Sequence, residues 1–220
     1  MASVNVVTVP VKDDENLLDL EVTVVERFSG SFQVGLGFSQ TQGVLLNMGL
    51  NHDNIFGTGN TVGITFDNSA STKRYVLSYL NPYYTADGVS RGFNLSFQET
   101  DSAEDNFTNF LLDQVKLSVV YSIPTSEFNS FSFSLGAVRN DVRISSSAST
   151  EVVDFIIESN SEFDQNTDRA SISGDSYDSL FGSVSVSSDT RNRRIFADSG
   201  HLNAVSLEMF NGDLDYYKVS

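Results

Sequence analysis

From Ser31 to Gln40 the chain alternates without a break. Phe32, Val34, Leu36 and Phe38 fall on one side, and Gln33, Gly35, Gly37 and Ser39 on the other. A two-residue repeat of this kind is a β-strand with one apolar face and one small, polar face. The pattern returns along the rest of the chain: Gly43 to Asn51, Thr61 to Asp67, Lys73 to Leu80, Val89 to Glu99, Leu112 to Ile123, Ser130 to Ile144, Tyr177 to Ser188 and Leu202 to Phe210. Tyr216 begins a tenth strand. No long segment repeats at 3.6 residues, so the expected fold is all-β and antiparallel.

Alternation on one face suits a soluble β-sandwich as well as a membrane barrel. The strand ends separate the two. Phe28, Phe38, Phe56, Tyr83, Tyr84, Phe128, Tyr177, Tyr216 and Tyr217 gather there, which suggests the interface girdles of a transmembrane barrel, although plain β-propensity also favours aromatics. No run approaches 18 apolar residues, but a barrel strand crosses a membrane with only about 9–11. The connections alternate in character. Compact turns lie at 53–60, 81–88, 123–129 and 189–200, and variable, acidic loops at 39–42, 67–72, 99–111, 145–176 and 211–215. Short turns on one rim and variable loops on the other are typical of an outer-membrane barrel, with the compact set facing the periplasm. In those turns Asn54, Gly57 and Gly59 are expected to need positive φ, and Asn81, Pro82, Asp87 and Gly88 to shape a second turn. The loop segment EVVDFIIE at 151–158 suits a short helix or an extra strand pair.

Before the barrel-like strands, Val4 to Val11 and Leu18 to Arg27 form a hairpin around Asp13, Asp14, Glu15 and Asn16. Alone it could not bury a core. The expected division is residues 1–28 and residues 29–220, with Glu26, Arg27 and Gly30 at the hinge. The first ten residues have neither the basic nor the apolar region of a signal peptide. Both ends stop inside strand pattern, so the chain is expected to be a fragment.

With 13 basic against 29 acidic residues the net charge is −16, which argues against a nucleic-acid partner. There are no cysteines, so neither disulfides nor thiol chemistry is expected. Gly57-Thr58-Gly59 with Gly63 precedes a strand, not the helix N-terminus that a nucleotide phosphate needs. His52 and His201 lack ligand-spaced neighbours, and no Ser/His/Asp arrangement is present. No catalytic residue, metal or cofactor is therefore expected, and the protein is expected not to be an enzyme. Arg191, Arg193 and Arg194 form the densest basic cluster. It suits a solvated turn or a contact with lipid phosphate or an accessory lipoprotein.

DNIFGTGN, NPYYTADG, FADSG, EMFNGDLDYYKVS and the opening ERFSGSFQVGLGFS together resemble the outer-membrane assembly factors of the Omp85 superfamily. The resemblance covers nearly the whole chain and is strongest at 18–99 and 189–220. It implies that residues 1–28 are the last hairpin of a periplasmic POTRA domain. It also implies that residues 29–220 hold roughly the first nine or ten of about sixteen strands of an antiparallel transmembrane β-barrel. The sixth extracellular loop and the closing strand of such a barrel would lie beyond Ser220. The implied activity is assembly and insertion of other β-barrel proteins. In it the first strand, here Phe32, Gln33, Val34, Gly35, Leu36, Gly37, Phe38, Ser39 and Gln40, templates an incoming client strand through a loosely closed seam. The implied partners are unfolded outer-membrane clients, accessory assembly lipoproteins, and outer-membrane lipid with lipopolysaccharide. A secretion pore of the same superfamily, a passive porin-like channel and a soluble β-sandwich adhesin are the rival readings.

Overall fold

The computed structural model describes residues 3–10, 18–25, 29–40, 42–101, 110–144, 148–159, 172–193 and 195–220. The predicted turn at 13–16, the hinge residues Glu26 and Arg27, Phe28 and Arg194 lie outside the described residues. The chain divides into two units, Met1–Gly30 and Ser31–Ser220.

In the first unit β1 (Ser3–Pro10) and β2 (Leu18–Val25) pair antiparallel, from Ser3 opposite Val25 to Pro10 opposite Leu18. Side chains on both faces of β2 are exposed, as expected of a hairpin too small to enclose anything.

In the second unit every strand predicted from alternation is present. They are β3 (Gly30–Ser39), β4 (Gly43–His52), β5 (Thr61–Asn68), β6 (Thr72–Asn81), β7 (Ser90–Asp101), β8 (Phe110–Pro124), β9 (Asn129–Ile144), β10 (Gly174–Asp189), β11 (Leu202–Gly212) and β12 (Tyr216–Val219). They form one ten-stranded antiparallel sheet in chain order, with β3 and β12 at its two edges. Gly30 opens β3, and Gln40 falls in the turn just after it. At 15, 16 and 16 residues, β8, β9 and β10 exceed the roughly 9–11 needed to cross a bilayer.

The register carries the alternation across the sheet. Leu50, Ile64, Leu77, Leu95, Leu117, Ala137 and Leu180 stand directly opposite one another in turn, forming one row through seven strands. The other face is polar, with short side chains bonded between strands: Ser134 to Ser183 at 2.6 Å, Ser122 to Ser132 at 2.9 Å, Gln114 to Asn140 at 2.8 Å, and Asn47 to Asp67.

The small buried core lies on this polar face. Phe181 stacks on Phe210 at 5.5 Å and Phe210 on Tyr216 at 4.2 Å, beside buried Val138. Segment 151–158 is helical: α1 (Thr150–Ser159) buries Ile156 completely and sets Phe155 5.8 Å from the ring of Tyr177. The Ser159 hydroxyl lies 2.8 Å from the Tyr177 hydroxyl. Two aromatics expected in a girdle are thus elsewhere. Tyr177 is 2% exposed beneath α1, and Tyr216 stacks on the polar face. Both occupy register positions where alternation points away from the apolar row: Tyr177 opposite Asn140 and Tyr216 opposite Phe210.

Candidate functional site

The apolar row is not covered by a second sheet. Its large side chains, Leu50, Ile64, Leu77, Leu95, Leu117 and Leu180, are between 45% and 68% exposed. Tyr75, Val115, Leu135, Val184, Val186, Val205, Leu207 and Met209 around it are exposed as well. A contiguous apolar surface on this scale is not tolerated in water and marks an interface or a membrane. The soluble sandwich expected as a rival needs this face buried, and it is open.

The edges of the apolar band differ. Toward the variable loops a charged rank crosses the sheet, with Lys73 bonded to Glu99 at 2.8 Å, Asp113 to Arg143, and Arg139 to Asp141 at 3.1 Å. Toward the compact turns lie Tyr121 stacked on Phe133 at 5.1 Å, Tyr84 edge-on to Tyr121 at 6.0 Å, and Arg91. On β7 the limits are Glu99 and Arg91, eight residues apart. At 3.3 Å per residue that is about 26 Å along the strand, or roughly 20 Å along a membrane normal for a tilt of about 40°.

β3 presents the same two faces at the edge of the sheet. Phe32, Val34, Leu36 and Phe38 are all exposed, on the side of the apolar band. On the other side Gly35 faces Asn47 and Gly37 faces Leu45 of β4. A methyl group added at either glycine would lie 3.7 Å and 3.6 Å from its nearest neighbours, ordinary contact distances. Close packing therefore does not require glycine here, whereas Gly136 lies under the ring of Phe181 with no room for a Cβ. What Gly35 and Gly37 bring to β3 is lowered rigidity and a clear polar face beside the edge.

The compact turns are built much as expected, with one change. Gly57, Gly59 and Gly88 take positive φ of 73°, 73° and 84°. Asn54 does not: its φ is −147°, and its side chain accepts a hydrogen bond from the Gly59 amide at 2.6 Å. The left-handed place is taken by Phe56, at φ 52° and 95% exposed. Asn81 caps the next turn by accepting from the Tyr83 amide at 3.1 Å, and the Gly88 amide closes it onto the Thr85 carbonyl at 3.1 Å. Pro82 and Asp87 lie within that turn. Phe196, in the 189–200 turn, repeats the pattern with φ 54° and a ring 88% exposed. Sequence reasoning missed the exposed rings at positive φ, because nothing in residue type announces a left-handed phenylalanine.

The expected basic cluster is largely neutralised. Arg191 is held by both oxygens of Asp189 at 2.8 Å, which raises its pKa above the ordinary guanidinium value, and Arg193 pairs with Asp198 at 2.7 Å. His201 sits 3.2 Å from the Thr190 hydroxyl, and His52 ends β4 with Nδ1 accepting from the Asn54 amide at 3.4 Å.

The sequence matches the Omp85 superfamily domain over residues 54–220. The outer membrane protein assembly factor BamA of Neisseria meningitidis serogroup B is 29% identical over 150 residues, covering 67% of this chain and 19% of that protein. BamA of Buchnera aphidicola is 23% identical over 129 residues, covering 59% and 21%. The chain thus spans about a fifth of the length of these relatives. The crystal structure of BamA from Haemophilus ducreyi lacking POTRA domains 1–3 aligns over 99% of this chain and 41% of its own, with a TM-score of 0.79 and 24% identity. That likeness shows the fold: an all-β, antiparallel, partial transmembrane barrel preceded by a hairpin. The match over residues 54–220 and the open apolar band lead to one conclusion: the chain belongs to the Omp85 superfamily.

Proposed function

We propose that this chain is the leading part of the barrel of an outer-membrane assembly factor, in which β3 is the template edge for client strands. The carrying observation is that β3 lies at the edge of the sheet with its apolar side chains exposed, and bears two glycines that packing does not demand. Each backbone group left unpaired in hydrocarbon costs several kcal/mol. The outer N–H and C=O groups of β3 therefore have to be met by another strand. A backbone edge accepts many client sequences, because main-chain hydrogen bonds do not depend on side-chain identity. In this reading the protein is not an enzyme: client strands exchange for a weak seam without covalent chemistry.

The same reading puts residues 1–28 in the periplasm as the end of a POTRA domain. The compact turns then face the periplasm, and α1 with the long loops faces outward. Unfolded outer-membrane proteins are the clients, accessory lipoproteins meet the periplasmic side, and lipid with lipopolysaccharide surrounds the apolar band. Assembly of outer-membrane proteins is also what the named BamA relatives are described as serving. The test is a disulfide between β3 and the closing strand of the full-length protein. Locking the seam is expected to abolish growth and client insertion, with rescue by reductant. Normal growth with the seam fully cross-linked would leave a passive channel as the answer.

A further inference from the structure

Arg91 opens β7 at the turn-side limit of the apolar band, on the same face as Phe93 and Leu95. Its guanidinium lies 3.9 Å above the ring of Tyr84 and 5.2 Å from that of Phe93. Its cross-strand neighbours are Asn81 and Tyr121, so no carboxylate stands opposite it. Nε is buried and has no hydrogen-bond partner among the described residues. Lys73, Arg139, Arg143, Arg191 and Arg193 each meet a carboxylate. Arg91 meets rings.

Ring faces stabilise a guanidinium but do not neutralise it. At the rim of a hydrocarbon layer an unpaired charge is expensive, and such residues sit where a counter-charge comes to them. A guanidinium presents parallel N–H donors that match two phosphate oxygens. Tyr84 and Tyr121 add hydroxyl-bearing rings at the same level, where aromatic side chains sit among headgroups.

We infer that Arg91, with Tyr84 and Tyr121, is a binding site for the phosphodiester of a membrane phospholipid at the turn-side leaflet. Arg91 donates to the phosphate, Tyr84 fixes the guanidinium plane, and the acyl chains run along Phe93 and Leu95. The inference rests on reading the apolar band as lipid-facing.

The test uses the full-length protein, delipidated in detergent and titrated with phosphatidylglycerol, with bound lipid counted by native mass spectrometry. Arg91→Gln should weaken phosphatidylglycerol binding at least threefold and leave dioleoylglycerol, which has the chains without the phosphate, unaffected. Arg91→Lys keeps the charge but loses the fork and should weaken binding less. Should R91Q not fold, R91K alone decides, with a twofold loss expected. Unchanged phosphatidylglycerol affinity, or an equal loss for dioleoylglycerol, overturns the site. A spin label at Leu95 in a cysteine-free background, measured in bilayers, separates this from the underlying reading. A lipid-like, oxygen-accessible label with no effect of R91Q removes only the phosphate site; a water-exposed label removes the lipid-facing band as well.

Discussion

Glycines of one residue type carry different roles here, and alanine substitution distinguishes them. Gly136 has a backbone carbonyl and the Phe181 ring within 2.6 Å of any added Cβ. Gly136→Ala should therefore destabilise the sheet by about 1–3 kcal/mol, the usual cost of overpacking, seen as a lower urea midpoint for refolding into lipid vesicles. Gly35→Ala and Gly37→Ala meet only ordinary contacts and should leave stability unchanged or raise it by up to about 1 kcal/mol, seen as an equal or higher urea midpoint. Client insertion should nonetheless slow if a pliant β3 is what the proposed function uses. Phe56 is the converse case. Its left-handed backbone and 95% exposed ring predict that Phe56→Gly stabilises by about 1 kcal/mol, and a loss of thermal stability would mean the ring has a contact. The turn glycines were legible from residue type, because only glycine enters that region freely. Phe56 and Asn54 were not, since the two divide one turn's strain and capping between them in a way only the folded turn sets.

Among the elements, α1 is the one that alternation could not decide. EVVDFIIE has apolar residues at spacings that serve a helix or a strand pair, and the burial of Ile156 with the packing of Phe155 against Tyr177 selects the helix. Ile156→Ala should loosen this loop by about 2–5 kcal/mol locally. The expected readout is faster proteolytic cleavage between residues 148 and 172 with the barrel strands still protected. Glu151 in the first turn accepts from its own backbone N–H first and the Ser149 side chain second, which lowers its carboxyl below the ordinary range. A lowered carboxyl supports the folded loop at neutral pH, and that support fades as pH falls through the depressed value. Cleavage of the same loop should therefore quicken in acid, and Glu151→Gln should flatten that pH dependence.

For the whole molecule, adjacent residues on opposite faces give the sharpest check. Ile64 belongs to the exposed apolar row, whereas Thr65 points to the polar face. Ile64→Lys should cost about 2–4 kcal/mol of folding stability in a bilayer, while Thr65→Lys should be nearly neutral. An Ile64→Lys variant that folds equally well in vesicles would contradict a lipid-facing row. Strand number, order and the division into two faces were all present in the sequence, because a period of two residues is local and each turn is short enough to pair neighbours. The membrane assignment was only suggested there, since alternation defines two faces without saying what covers either. The tertiary structure decided that the leucine row stays open. It also turned Tyr177 and Tyr216 away from the expected girdle, put Arg191 and Arg193 against carboxylates, and set Arg91 against the rings of Tyr84 and Phe93. These outcomes depend on which side chains distant strands bring together, and that proximity is created by register across the sheet.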